Sequence, residues 1–239
     1  MNKRSEIQAR PRVTARGVIG ALMSLRAAII GGVCFFLAAW KLNIVRGWIY
    51  FGMALVGALA GAIIMITCTP GLAHERAKAK EGTKTWDKIL LLIYFILGLI
   101  VMPVVAGLDV GKFCWTLLPA YFVVIGIAVY VFAFALTLWA MLSNPFFEST
   151  VRIQKDRDQK VISTGPYRFV RHPGYVGMLI GSLHLPFVIG SIYALIPAGV
   201  MIILAITRTY LEDKTLQEEL NGYKEYAAKV KYRLFPGIW

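Results

Sequence analysis

The chain has 239 residues, 58% of them hydrophobic and only 16% charged, with a mean hydropathy of +0.64. Soluble domains run at about 45–50% apolar and about 25% charged residues, so this composition excludes a protein bathed in water on all sides. A formal net charge of +13 would suit nucleic acid, but the basic residues cluster between long uncharged runs, where anionic lipid headgroups are the expected partners and nucleic acid is not.

In chain order, the basic opening stretch (Lys3, Arg4, Arg10, Arg12, Arg16) is long and precedes no small-residue cleavage site, so it does not read as a secretory signal. Crossing a bilayer core takes about 20 apolar residues at about 1.5 Å each. Four runs meet that length, at 18–40, 44–68, 89–107 and 115–142. Arg26 lies in the first, near enough to its end to snorkel. Cys34, Cys68 and Cys114 sit in or beside these runs without metal or disulfide spacing and read as small apolar residues.

The fifth apolar stretch, 175–206, holds no charge and is too long for one ordinary span. Pro186, Gly190-Ser191 and Pro197 interrupt it, which predicts a helical hairpin whose second arm must continue past Arg208 to reach across. With the N-terminus placed in the cytoplasm, all 26 basic residues except Lys41, Arg46, Lys112 and Arg26 fall on the cytoplasmic side, as positive-inside topology requires. Beyond the hairpin, Leu211, Thr215, Leu216, Leu220, Tyr223 and Tyr226 recur at near-helical spacing, predicting a helix that leaves the membrane and lies against the protein or the interface. The expected architecture is all-α: a polytopic transmembrane bundle of four spans plus a C-terminal helical hairpin, with a cofactor pocket on the cytoplasmic side. It divides into N-terminal spans (1–143) and a catalytic region (144–239).

Chemistry is expected where the long polar stretches are, at 144–173 and 208–239. The run Gly165-Pro166-Tyr167-Arg168-Phe169-Val170-Arg171-His172-Pro173-Gly174-Tyr175 begins at a turn and ends at a proline suited to the first turn of a helix. Free backbone N–H groups at that helix start, Arg168 and Arg171 favour an anion, and Tyr167 and Tyr175 offer flat faces. An interfacial belt of arginine and tyrosine is the simpler explanation for such a run. Arg208, Glu212 and Asp213, directly after the hairpin, weigh against it. A carboxylate pair contributes little to topology, and a cationic ligand group would account for it; Arg208 and Glu212, at i and i+4, can also pair with each other.

On these two motifs the chain resembles the isoprenylcysteine carboxyl methyltransferase family, which is similar in turn to phospholipid N-methyltransferases. The family's R-H-P-x-Y-x-G pattern is matched at every fixed position by Arg171-His172-Pro173-Gly174-Tyr175-Val176-Gly177, and its acidic pair followed by leucine and aromatics by Glu212-Asp213, Leu216, Gly222, Tyr223 and Tyr226. The resemblance runs from about residue 144 onward. It implies an S-adenosylmethionine pocket between motif, hairpin and tail, lined by Arg171, His172, Pro173, Tyr175, Gly177, Glu212 and Asp213, with Tyr167 and Arg168 beside it. Asp213 departs from the family's usual glutamate. Glu212 would meet the polar end of the cofactor. Apart from the resemblance, Arg208 at the end of the hairpin is a candidate partner for an acceptor carboxylate. No metal is called for, since a carboxylate is already nucleophilic, and His74, His172 and His184 are dispersed.

The acceptor implied is a prenylated cysteine or a similar lipid-like carboxylate held among membrane lipids. A phospholipid amine or a small thiol is the alternative acceptor. A channel or transporter would line its path with mid-span charges, and the runs contain none apart from Arg26. Residues 144–154 stand before the motif as a connector or a gate to the pocket. His184 reads as a bonded core histidine, and the apolar end, Leu234 to Trp239, as a headgroup anchor or a closure for the site.

Overall fold

In a computed structural model that describes residues 15–76, 78 and 81–239, every regular element among the described residues is helical. Lys3, Arg4, Arg10, Arg12, Lys80 and the side chain of Arg16 lie outside the described residues. The helices are α1 (Ala15–Ala39), α2 (Val45–Cys68), α3 (Pro70–Arg76), α4 (Thr85–Ile96), α5 (Met102–Gly107), α6 (Tyr121–Ser143), α7 (Pro173–Gly181), α8 (His184–Ile189), α9 (Leu195–Glu219) and α10 (Tyr223–Lys229).

Five helical stretches are long and apolar enough to cross a membrane: Val18–Ala39, Val45–Cys68, Thr85–Phe113, Tyr121–Ser143 and Leu195–Glu219. They leave many large apolar side chains uncovered, including Leu37, Leu59, Val124, Val131 and Ile196, as expected of faces turned to lipid. The protein is thus a polytopic helical bundle. The third span is longer than predicted, beginning at Thr85 and continuing to Phe113. It joins α4 and α5 through a π-type turn at Leu97–Val101 and adds another at Leu108–Phe113. A π turn absorbs a break in the i→i−4 ladder, and Pro103, which has no N–H to donate, follows the first one directly.

The expected hairpin is present. Its first arm is short, α7 and α8 together covering Pro173–Ile189; its second is α9, which runs well past Arg208. Gly190 turns the chain at φ +89°, a conformation that favours glycine. Pro197, expected to interrupt, instead sits in the first turn of α9, where its missing N–H has no partner to lose. The single helix predicted after the hairpin is two: α9 ends at Glu219, Gly222 takes φ +81°, and α10 starts at Tyr223.

Between helices in lipid, association rests on close packing, so small residues collect at the contacts. Gly177 on α7 shows this: a Cβ there would collide with Thr137 Oγ1 and lie 3.1 Å from the Ala133 carbonyl on α6. The central core packs Phe35, Tyr50 and Phe51 of α1 and α2 against Leu185, Val188 and Ile189 of α8 and Ala198 and Met201 of α9. His184 is a bonded core residue, its Nε2 2.9 Å from the Tyr50 hydroxyl and its Nδ1 against the Gly181 carbonyl. At the hairpin's turn, Asp109 is fully buried and accepts hydrogen bonds from Thr116 N (2.9 Å), Thr116 Oγ1 (2.6 Å) and Ser191 Oγ (2.6 Å). It thereby ties the turn to the end of the third span.

Candidate active site

At the other end of the bundle, the start of α4, the 144–172 loop, the end of α9 and the tail converge. Pro173 opens α7 with His172 at its N-cap, which brings Arg171 and His172 beside Asp213 on α9. Arg171 grips Asp213 with both arms of its fork, Nε to Oδ1 at 2.7 Å and Nη2 to Oδ2 at 3.0 Å, while Nη1 donates to the Val230 and Lys231 carbonyls at 2.8 Å each. Arg233 Nε (2.8 Å) and Gln217 Nε2 (2.7 Å) donate to Oδ2; the Tyr223 hydroxyl donates to Oδ1 at 3.2 Å, and His172 Nε2 lies 3.1 Å from it.

Asp213 is fully buried, and the two arginines and the hydrogen bonds around it offset the cost of burying its charge. Burial opposes the charge of Arg171, but the hydrogen bonds and negative charge of Asp213 outweigh it and raise the guanidinium's pKa. The motif's backbone is committed too. Arg171 N–H donates to the Tyr232 carbonyl and His172 N–H to that of Arg233, both at 3.0 Å. Tyr175 and Val176 N–H both go to the His172 carbonyl. The helix start expected to offer free N–H groups to an anion is therefore largely bonded to the tail and to itself.

Next to this hub lies a cavity of about 390 Å3. Of the residues singled out from the sequence, Tyr167, Arg171, His172, Tyr175, Arg208 and Glu212 line it. Glu212 accepts from the Tyr175 hydroxyl at 2.5 Å, which joins the two arms of the hairpin across the site. Four others are placed elsewhere. Arg168 is exposed, its guanidinium 4.6 Å from the Phe169 ring centroid; Pro173 and Gly177 are buried in helix packing; Asp213 forms the hub behind the wall. For Asp213 the reason is its shorter side chain together with two arginines that compete for it.

The Arg208–Glu212 pair that the i, i+4 spacing allows does not form. Arg208 Nε donates to Asp87 Oδ1 at 2.6 Å and its Nη2 to the Ser149 carbonyl at 2.6 Å, while Asp87 Oδ2 accepts from Val151 N–H at 2.8 Å. Arg208 is thus neutralised by an acid 121 positions away. Its guanidinium also lies 5.3 Å from the Tyr175 ring centroid. Asp87 escaped notice in the sequence, although a lone acid in the first turn of an apolar span is costly unless paired. Arg233 carried no signal beyond its place in the tail, whereas Tyr223 was marked by its helical spacing and by the aromatic positions after the acidic pair, without a role in the site.

The 144–162 segment is a wall of the cavity, contributing Asn144, Phe146, Phe147 and Glu148 among others. Asn144 Nδ2 donates to the Tyr167 hydroxyl at 3.2 Å, Gln154 Nε2 to the Phe146 carbonyl at 2.8 Å, and Arg152 pairs with Glu148 and Asp156. Burial pushes the phenols of Tyr167, Tyr223 and Tyr226 above their ordinary range, reinforced for Tyr223 by the charge of Asp213, so all three remain protonated donors. Tyr226 uses its hydroxyl on the Tyr167 carbonyl at 2.6 Å. The apolar end of the chain folds back: Leu234 is buried against Val170, Tyr175 and Val176, and the Trp239 ring lies 5.0 Å from the Arg233 guanidinium.

A second cavity of about 480 Å3 lies deeper among the spans, with small and apolar residues such as Gly57, Ala58, Gly61 and Leu185 in its walls. Arg76 and Thr137 line both cavities. In comparisons with known proteins, no curated protein matches the chain. Residues 124–218 match the sequence model of the Isoprenylcysteine carboxyl methyltransferase (ICMT) family.

Proposed function

We propose, from the match of residues 124–218 to the isoprenylcysteine carboxyl methyltransferase family model, that the chain is a membrane methyltransferase that methylates the carboxylate of a prenylated cysteine or a similar lipid-like acid, with S-adenosylmethionine as donor. The observation that carries this reading is a cavity with charged and aromatic side chains in its wall that shares lining residues, Arg76 and Thr137, with an apolar one inside the spans. A soluble donor and a lipid-borne acceptor need just such a pair of chambers.

The residues fit the donor. A volume of about 390 Å3 falls within the range of roughly 300–1,000 Å3 typical of small-molecule sites. Tyr167 and Tyr175 supply flat faces, and the Glu212 carboxylate supplies the negative charge that a cationic ligand requires. When bound, S-adenosylmethionine carries a methyl group on a sulfonium, which an acceptor oxygen can take in an in-line displacement.

The protein's own task is then positioning. Glu212, fixed by Tyr175, holds the cationic part of the donor. Asp213, through Arg171 and His172, sets the wall in which the tyrosines stand. Arg208, braced on Asp87, keeps the 149–151 segment closed over the cavity. A carboxylate acceptor asks for no general base. We assign residues 144–239 as the catalytic region and 1–143 as the N-terminal spans, with Asp87 reaching across to brace the site. The positive-inside charge distribution supports placing the cavity on the cytoplasmic side.

The test uses purified full-length protein, labelled S-adenosylmethionine and three acceptors: an S-farnesylcysteine, a phosphatidylethanolamine and a small thiol. Label is expected in the S-farnesylcysteine alone and lost in Glu212→Ala. Transfer to the amine or the thiol instead would reassign the acceptor, and full activity of the variant would sink the pocket assignment.

A further inference from the structure

Arg208 carries the sequence's expectation of an anion-binding arginine, yet it is bonded to Asp87 and to Ser149. Arg171 and Arg233 are bonded to Asp213, and Arg152 to Glu148 and Asp156. Arg76, the last residue of α3, is different. Its Nε is shut off from solvent and has no hydrogen-bond partner. Its Nη1 reaches only the Met65 sulfur, at 3.7 Å, and the guanidinium stands 5.5 Å from the Phe147 ring centroid. A thioether is a weak acceptor, and among the described residues no carboxylate is paired with Arg76. Glu148, whose charge reaches it, is held by Arg152.

Arg76 also stands where the two cavities meet, since it lines both. An amphiphile with its chain among the spans and its head in the chamber beside Glu212 must pass its head group by this guanidinium. A planar fork of N–H donors matches a carboxylate in two parallel bonds, which an ammonium cannot do. We propose that Arg76, and not Arg208, receives the carboxylate of the methyl acceptor and selects acidic acceptors over neutral ones. Burial lowers the pKa of Arg76 against the pull of Glu148, so an arriving anion restores what burial takes from the charge.

The inference rests on the functional reading above and is tested with the same full-length protein. In Arg76→Met the KM for S-farnesylcysteine should rise about 10- to 100-fold, as loss of a charge-assisted bond implies, while S-adenosylmethionine affinity stays within about twofold. Arg76→Lys should recover part of the loss. The carboxamide analogue of S-farnesylcysteine should inhibit wild type far more weakly than the acid does, and Arg76→Met should lose that preference. An unchanged acceptor KM in Arg76→Met, or cofactor binding lost in step with acceptor binding in both variants, overturns the proposal while leaving the functional reading intact. Wild type that binds S-adenosylmethionine but methylates no carboxylate removes both.

Discussion

Two buried aspartates stand at opposite ends of the bundle, and their partners differ in kind. Asp109, at the turn of the hairpin, is held by hydroxyls and backbone N–H groups from Thr116, Ser191 and Tyr193. Asp213, at the cavity end, is held by Arg171 and Arg233 together with His172, Tyr223 and Gln217. Neutral donors suffice to staple one loop to one span. Two cations are brought together only where several segments must be held around a chamber, and a rigid polar network supplies what a helix boundary otherwise lacks. The same end holds the Asp87–Arg208 pair, so the cavity is framed by ion pairs while the far end is closed by a cap of hydrogen bonds.

The sharpest way to break this contrast is Asp213→Ala. Leaving Arg171 and Arg233 without their counter-charge should cost about 3–5 kcal/mol, seen as a large drop in melting temperature in nanodiscs together with loss of methyl transfer. A native melting point would mean that the network is not structural. Glu212→Gln comes next. It should keep the fold, because Tyr175 can still donate to the amide oxygen, but weaken S-adenosylmethionine about 10- to 100-fold by calorimetry, as expected for a bond to a charged group.

At the far end, Asp109→Asn should cost about 1–3 kcal/mol through imperfectly matched donors and leave turnover per folded molecule unchanged. A fall in kcat without a fall in stability would erase the distinction between the two ends. The smallest effect is expected of Arg168→Ala, which removes an exposed contact with Phe169 worth at most about 0.5–1 kcal/mol. Measured cofactor affinity should not move; a clear loss would return Arg168 to the site.

How far the sequence could be read depended on the range of the interaction. Spans were legible because an unbroken apolar run of bilayer length has few other uses. The third span was underestimated because Asp87, Lys88, Asp109 and Lys112 made its ends look like loops. The hairpin was legible from Gly190-Ser191, whereas Pro197 misled because proline is harmless in a first turn. Tyr175 and Glu212 were found through motif spacing and do meet across the cavity. Asp213 and Gly177 belong to the same motifs but serve the hub and the helix packing. A motif records which residues occur together, without distinguishing those that face a ligand from those that hold the wall.

By itself the sequence determined that this chain lives in a bilayer, where its chain reverses within the fifth apolar stretch, and which two segments come together around the cavity, since hydropathy and local turn chemistry act over a few residues. Only the tertiary structure decided which charges are already spent. Arg208 looked available until α4 brought Asp87 against it from 121 positions away, and Arg76 looked like one more loop cation until α3 carried it between two cavities. Buried ion pairs form wherever opposite charges are brought together out of water, and no local pattern encodes which partners those will be.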